Sequence, residues 1–306
     1  MIAGMAVAVA ALELRSPLAI AVSSLASLAV ASTGMLAAAA FYRRVRVDEN
    51  IGATCTAVAQ ALLFTAVASV LSYLLAREGG PLWDSTLQSW DRLLGFNWLA
   101  YVHFVDAREW LVAPFRAAYA SLIPQVIAVI VALGLRGRIC QLRIFLLAMI
   151  GSAVVAVLLS PVFPAVGNYV YLGLASTDLQ RIDPWAGYVH LHDLTALRAG
   201  RMELLDLPKM QGIITFPSYH ACLAILTLWA FWKSGLGWLR WGGSAIAVVT
   251  ILSTPIDGGH YFVDVIAGIA IALASIAAAK RLVFVRISLA SAAAWPRKGL
   301  SAAVAR

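Results

Sequence analysis

Charged residues are scarce in this sequence. Of its 306 residues only 12% are Asp, Glu, Lys or Arg, whereas 62% are hydrophobic. Because a soluble globular domain carries about 25% charged residues, this chain cannot cover itself with a polar surface. Its mean hydropathy is +0.85, and its apolar runs approach the ~20 residues that cross a hydrocarbon core. The composition therefore predicts an integral membrane protein and excludes a soluble enzyme or binding domain.

Cysteine is also rare. The three cysteines, Cys55, Cys140 and Cys222, are scattered and show no CxxC spacing. This pattern indicates neither a disulfide framework nor a zinc site, and we expect no metal and no cofactor. No repeat of 20 to 50 residues is present either, so nothing indicates a repeat architecture.

Seven apolar runs are long enough, or nearly so, to be transmembrane helices. They predict an all-α, polytopic helix bundle of about six or seven spans. The runs cover residues 17–41, 51–75, 111–135, 139–163, 218–233, 237–253 and 260–279.

The basic residues indicate the orientation of this bundle. The net charge is +8, but we expect no nucleic-acid partner, because these residues lie in short segments between apolar runs and fall on one side of the seven-span arrangement. By the positive-inside rule that side is cytoplasmic, as is the C-terminus. The alanine-rich composition favours a bacterial inner membrane. The basic groups are Arg43, Arg44 and Arg46; Arg136, Arg138 and Arg143; Lys233 and Arg240; and Lys280, Arg281, Arg286, Arg297, Lys298 and Arg306.

We divide the chain into N-terminal transmembrane helices (1–76), a catalytic membrane domain (77–285) and a basic cytoplasmic tail (286–306). Two long connections lie on the outer side. The segment 82–108 is rich in Trp and Tyr, and we interpret it as an amphipathic segment in the headgroup zone or as a lid over the bundle. The outer loop 164–216 is too long to be a simple connection.

Two short stretches carry the chemistry, Phe216-Pro217-Ser218-Tyr219-His220 and Gly258-Gly259-His260-Tyr261-Phe262-Val263-Asp264. Two apolar segments separate them, so the chain leaves one membrane face after His220 and returns to it before His260. Asp264 lies four residues after His260, on the same side of a helix. Two imidazoles and a carboxylate suit phosphoryl or acyl transfer. Two helix N-termini, with Ser218 and Gly259 beside them, favour a bound phosphate.

These motifs resemble a known family. Pro217-Ser218-x-His220 and His260-x-x-x-Asp264, with Ser253 seven residues before His260, are similar to the second and third signature motifs of the type 2 phosphatidic acid phosphatase superfamily. The resemblance extends over roughly 80–280. The sequences of 212–220 and 259–264 are similar to those of the branch that contains fungal inositol phosphorylceramide synthase.

The resemblance implies a six-helix core and a metal-independent reaction through a phosphohistidine. His260 would be the nucleophile, His220 the general acid and Asp264 the residue that orients His260. Two features depart from the superfamily: Thr254 stands where an arginine is usual, and the first motif is missing, since no Arg-Pro occurs. Other cations must then bind the phosphate. The candidate substrate-binding residues are Lys209, Arg201, Arg198, Arg116, Ser218, Ser253, Tyr219 and Gly259.

The leading interpretation is a lipid phosphotransferase, with a phospholipid or lipid phosphate as donor and a lipid hydroxyl, such as that of ceramide or diacylglycerol, as acceptor. A lipid phosphate phosphatase would use water instead. A third alternative is a non-enzymatic transporter or lipid-binding bundle. Among the remaining residues we interpret His103, His190 and His192 as headgroup contacts, with a contribution of His190-x-His192-Asp193 to a lid as the alternative. We interpret Tyr119, Gln125 and Tyr171 as packing residues rather than the lining of a lipid groove.

Overall fold

The computed structural model describes residues 2–13 and 18–294, and their regular structure is almost entirely helical. This confirms the predicted all-α class. A single short parallel pair joins β1 (Ala19–Ile20) to β2 (Leu204–Leu205). The helices are α1 (Ile2–Glu13), α2 (Val22–Arg44), α3 (Glu49–Arg77), α4 (Asp84–Leu93), α5 (Trp98–Asp106), α6 (Glu109–Ala120), α7 (Leu122–Leu135), α8 (Ile139–Leu159), α9 (Asn168–Tyr171), α10 (Trp185–Val189), α11 (Leu191–Arg198), α12 (Tyr219–Lys233), α13 (Ser244–Asp257) and α14 (Phe262–Ala294).

Several helices are long and apolar enough to cross a membrane. Five segments qualify alone, and α6 with α7 forms a sixth that is bent by 54°. The bend has a cause in the sequence, because Pro124 has no N–H for the carbonyl of Ala120 and its ring would clash there. The five segments are Val22–Arg44, Glu49–Arg77, Ile139–Leu159, Leu239–Asp257 and Phe262–Val285.

The predicted run 218–233 forms α12 (Tyr219–Lys233) with almost the same bounds, but α12 is not among the helices long enough to qualify as spans. This helix has 15 residues, which is about 22 Å at 1.5 Å per residue and shorter than a full crossing. Eight of its residues, including Cys222 and Phe231, are buried, and it packs against α7, α8, α13 and α14. It is a central core helix, which is why a short length suffices.

One large hydrophobic cluster holds the bundle together. It contains residues of α1 and α3, such as Met5 and Phe64, together with Leu133 of α7, Phe145 of α8 and Phe231 of α12. The N-terminal helices therefore share the core of the region that we predicted to be catalytic. Residue 17, where the first span was predicted to begin, and the tail from 295 onward lie outside the described residues.

The basic turns gather at one end of the bundle. A Cβ on Gly137 would lie 3.3 Å from Asn50, and one on Gly235 would lie 3.0 Å from Arg138. The turns α2–α3, α7–α8 and α12–α13 are therefore neighbours. Because α12 runs away from His220 toward Lys233 and α13 returns, the histidine motifs lie at the opposite end.

The segment 82–108 forms α4 and α5, and it is anchored by buried acids. Asp91 accepts the N–H groups of Phe262 and Val263 at 2.9 and 2.8 Å, where α14 begins. Asp106 accepts the N–H groups of three consecutive loop residues, Gln180, Arg181 and Ile182, at 2.8–2.9 Å. Buried backbone donors need such partners. The two helices therefore brace the end of the bundle where the histidine motifs lie, which their loosely helical, Trp-rich sequence did not indicate.

We expect Asp91→Asn to destabilise the protein. Asp91 is 2% exposed, and burial raises the pKa of its carboxyl although the N–H groups of Phe262 and Val263 oppose this. The side-chain amide of asparagine can accept a hydrogen bond from only one of these two N–H groups, because its own NH₂ group faces the other. Losing a charge-assisted hydrogen bond at a helix N-terminus costs about 1–3 kcal/mol.

The measurement is the free energy of unfolding in detergent. Asp183→Asn is the matched control, because Asp183 is exposed and should tolerate the same change. Equal stabilities of the two variants would contradict the bracing role of Asp91.

Candidate active site

The beginnings of α12 and α14 touch each other. The N–H of Ser218 donates to the carbonyl of Asp264 at 3.0 Å, and the Ser218 Oγ caps α12 by accepting the N–H of Ala221 at 3.4 Å. Gly268 makes the contact possible, because a Cβ at this position would lie 2.2 Å from the Ser218 carbonyl oxygen. The two motifs, far apart in sequence, are therefore adjacent.

His260 and Asp264 form a buried pair. His260 Nδ1 lies 3.3 Å from Asp264 Oδ2, and the two residues are 5% and 0% exposed. The same carboxylate oxygen accepts the N–H of Tyr261 at 2.9 Å. Burial lowers the pKa of His260 to about 4, although the Thr215 backbone opposes this. The imidazole is therefore neutral at pH 7.

His220, the second residue of α12, faces this pair. Its ring stacks on that of Tyr119, with centroids 4.3 Å apart and planes 2° from parallel. A Cβ on Gly258 would lie 2.7 Å from the Tyr119 hydroxyl oxygen and 2.8 Å from the His260 ring, so only glycine fits between them. Tyr119 therefore connects the two imidazoles, stacking on the ring of His220 while its hydroxyl lies close to the ring of His260. Tyr119, which we predicted to be a packing residue, instead lies beside both.

A loop after α8 supports the turn between α13 and α14 that carries His260, residues 258–261, which we call the histidine turn. Asp84 accepts the N–H groups of Val166 and Gly167 at 3.0–3.1 Å and the hydroxyl of Tyr261 at 2.8 Å. At the next residue of this loop, the N–H of Asn168 donates to the carbonyl of Gly259 at 2.9 Å. The residues on both sides of His260 are thus fixed by one network.

His190 joins the same network and corrects our interpretation of it as a headgroup contact. It is 5% exposed, and its Nε2 lies 3.2 Å from the Val166 carbonyl oxygen. Burial lowers the pKa of His190, and the nearby His260 contributes to this. A histidine inside a long loop gave no sequence signal for such a position.

The donors at the start of α14 are not free for a ligand, contrary to our expectation that both helix N-termini point at a phosphate. Its N–H groups at Phe262 and Val263 bind Asp91. At the start of α12, the N–H groups of Ser218 and Ala221 bind the Asp264 carbonyl and the Ser218 Oγ. Those of Tyr219 and His220 have no partner within the described residues and remain available for that purpose.

The four predicted phosphate-binding cations are dispersed. Lys209 forms an ion pair with Asp206 at 2.9 Å, and Arg198 Nη2 donates to the carbonyl of Gly80 at 2.7 Å, so both hold loops in place. Arg201 is exposed after α11. Arg116 lies one helical turn before Tyr119 on α6, and the Tyr119 hydroxyl lies against Gly258 in the turn that carries His260. Arg116 is therefore the cation of this set that the structure connects to the histidine turn.

Two other predicted residues have structural partners. Ser253 is fully buried, and its hydroxyl donates to the Thr250 carbonyl at 3.0 Å within α13. The Tyr219 hydroxyl donates to the Met149 carbonyl of α8 at 3.0 Å. Thr254, at the position where the superfamily usually has arginine, likewise donates to Thr250 at 2.7 Å. These side chains serve helix packing in this structure.

Several buried polar atoms around the histidine turn have no hydrogen-bond partner within the described residues. Such atoms are costly, and each calls for a reason. Next to the turn they are both amide atoms of Asn168, the hydroxyl of Tyr169, Asp257 Oδ2 and Asp264 Oδ1.

A cleft of about 580 Å³ runs along α6, and its lining includes neither His220 nor His260. One face of α6, including Glu109 and Arg116, forms one wall, and Arg181 lies opposite. Arg116 belongs to both the cleft and the surroundings of the turn. Across residues 2–13 and 18–294, no group of three or more His, Cys, Asp or Glu side chains is arranged to hold a metal ion.

Comparisons with known proteins complete this description. Neither the curated proteins nor the solved structures give a match. A family model described as the PAP2 superfamily, the type 2 phosphatidic acid phosphatases, matches residues 85–278, close to the range predicted from the motifs. Its members are generally phosphatases or phosphotransferases. The match covers well over half of the chain and includes both histidine motifs, and the chain therefore belongs to the PAP2 superfamily.

Proposed function

We propose that this protein is an integral membrane phosphotransferase that moves a phosphorylated headgroup between lipids through a phosphohistidine intermediate, as in inositol phosphorylceramide synthase. The observation that carries the proposal is the buried His260–Asp264 pair, 3.3 Å between Nδ1 and Oδ2, facing His220 where two helix N-termini meet. This arrangement supplies a nucleophile, a group that orients it and a proton donor.

The first step forms the phosphohistidine. Asp264 accepts the proton on His260 Nδ1 in a hydrogen bond, and this tautomer leaves the lone pair on Nε2. Nε2 attacks phosphorus, and the bond from phosphorus to the oxygen of the departing lipid breaks. His220 gives its proton to that oxygen. The approach of the phosphate anion favours the protonated form of His220 that this step needs.

The second step reverses these roles. The hydroxyl oxygen of the acceptor lipid attacks phosphorus, its proton passes to His220, and the bond from phosphorus to Nε2 breaks. His260 returns to the neutral state that its burial favours, and His220 is again ready to donate.

Arg116 and the N-terminus of α12 are the groups that we propose to meet the phosphate charge. Helix N-termini bind anions through free N–H groups and the helix dipole. Arg116 is exposed and donates only a long hydrogen bond, 3.4 Å, to the carbonyl of Asp183, so it can reorient toward a ligand. It would replace the cations of the first motif that this chain lacks.

The elements that cover the site favour transfer to a lipid over hydrolysis by water. The braced helices α4 and α5 and the loop around His190 leave His260 only 5% exposed. Excluding water protects a reactive phosphohistidine from hydrolysis.

We also propose the orientation. The basic turns lie at the end of the bundle opposite the histidines, so the positive-inside rule gives a histidine site that faces the periplasm or lumen and a cytoplasmic C-terminus.

The test is a product analysis with purified protein. Phosphatidylinositol or phosphatidic acid with radiolabelled phosphate is supplied with and without ceramide or diacylglycerol. We expect a new labelled lipid that appears only when the acceptor is present. Hydrolysis products alone, inositol phosphate from phosphatidylinositol or free phosphate from phosphatidic acid, would identify a phosphatase that uses water instead, and no turnover of either donor would contradict an enzymatic function.

A further inference from the structure

Asp257 is a buried carboxylate without a structural task. It is the last residue of α13, three residues before His260, and it is 9% exposed. Its Oδ2 is fully buried and finds no hydrogen-bond partner among the residues that the structure describes. A buried acid without partners costs free energy, so a role in binding a ligand is the alternative to a role in stability.

The polar groups around the end of α13 include an acceptor and a donor that are unmatched within the described residues. The hydroxyl of Tyr101 donates to the Leu252 carbonyl and the Trp98 indole N–H to the Pro255 carbonyl, both at 2.9 Å. In contrast, the buried hydroxyl of Tyr169 has no partner within the described chain. Tyr169 packs against Gly259 and against the ring of Trp98, with centroids 4.7 Å apart. Because Trp98 binds Pro255, these contacts place Tyr169 near residues on both sides of Asp257 in sequence.

The charges around Asp257 restrict the chemistry of a ligand. A carboxylate next to the histidines repels a second phosphate. The guanidinium of Arg116, one helical turn before Tyr119 on α6, disfavours a cationic headgroup, since the Tyr119 hydroxyl lies against Gly258, the residue after Asp257. A neutral alcohol fits both conditions. It can donate its proton to a carboxylate and accept a hydrogen bond from a phenol at the same time.

We infer that Asp257, with Tyr169 beside it, binds the hydroxyl group of the acceptor lipid next to His260. The acceptor is accordingly a neutral lipid alcohol. Asp257 holds its hydroxyl group before the reaction, and the hydroxyl proton turns from Asp257 to His220 as the oxygen attacks the phosphohistidine. This inference rests on the proposed transferase function and names the residue that selects a lipid hydroxyl.

The test separates the two half-reactions in Asp257→Asn. Removing a hydrogen bond to a charged group should lower kcat/KM for ceramide or diacylglycerol about 10- to 100-fold. The burst of phosphohistidine formation from the labelled donor should stay within about twofold of wild type, since that step precedes acceptor binding. Asp183→Asn is the control. Asp183 is an exposed carboxylate whose backbone carbonyl contacts Arg116, and its substitution should leave both quantities unchanged.

Each other outcome overturns the inference. An unchanged kcat/KM for the acceptor in Asp257→Asn shows that the carboxylate does not bind it. Loss of the burst, or failure to fold, shows a role in the first step or in structure, because removing an unpaired buried charge should be neutral or stabilising. If wild-type protein forms no phosphohistidine, the proposed function fails instead, so the two failures are distinguishable.

Discussion

His260→Gln is expected to lower turnover by at least about 10⁴-fold, the scale seen when a nucleophile that works within a catalytic unit is removed. Glutamine is close in size and polar, so the buried position stays filled, but its amide cannot attack phosphorus. The initial rate of product formation from a labelled lipid phosphate measures the effect.

His192→Gln is the matched control for this variant. The His192 side chain is 89% exposed, so its replacement should leave turnover unchanged. A His260→Gln protein that keeps turnover within about tenfold of wild type would show that His260 is not the nucleophile.

His220→Gln is expected to lower turnover of alkyl lipid phosphates by about 10²–10⁴-fold, the usual contribution of general acid–base catalysis. The loss should depend on the leaving group. An alkoxide needs a proton as it departs, whereas p-nitrophenolate does not, so the first step with p-nitrophenyl phosphate should be nearly normal.

The measurement compares the burst of phosphohistidine with the two substrates in His220→Gln. With p-nitrophenyl phosphate the phosphohistidine should accumulate, because the second step still lacks a base for the acceptor. Equal losses of the burst with both substrates would mean that His220 serves binding or structure rather than proton transfer.

The position of the candidate site could be predicted from sequence because its determinants are local. Asp264 follows His260 by one helical turn, and the 3.3 Å contact is what that spacing predicts. The meeting of the two motifs followed from two apolar segments of similar length between them. The structure adds the contact of Gly268 with Ser218, which no periodicity indicates.

The surroundings of the site were less predictable, because they depend on how loops fold. Lys209 lies near His220 in sequence but pairs with Asp206. Arg116 is more than about 100 residues before both histidines, yet it lies one helical turn from Tyr119, which stacks on His220. The aromatic residues of 82–108 suggested the headgroup zone, yet Asp84 and Asp91 in this segment bind the backbone around His260 and α14. Long-range contacts of this kind leave no pattern in a single sequence.

The bounds of α12 could be predicted, but its role could not. The predicted run 218–233 nearly coincides with the helix, which has 15 residues because Ser218 caps one end and the chain turns at Gly235, which has a positive φ of 77°. Burial on all sides by neighbouring helices gives an apolar sequence just as lipid does.

The most direct test of the account is to locate the covalent intermediate. Wild-type protein is mixed with a phosphate-labelled lipid donor, quenched in base to preserve phosphohistidine, digested and sequenced by mass spectrometry. We expect the label on the peptide that contains Tyr261 and Phe262, attached to the ring of His260. A label on another residue, or turnover without any labelled histidine, would contradict the account.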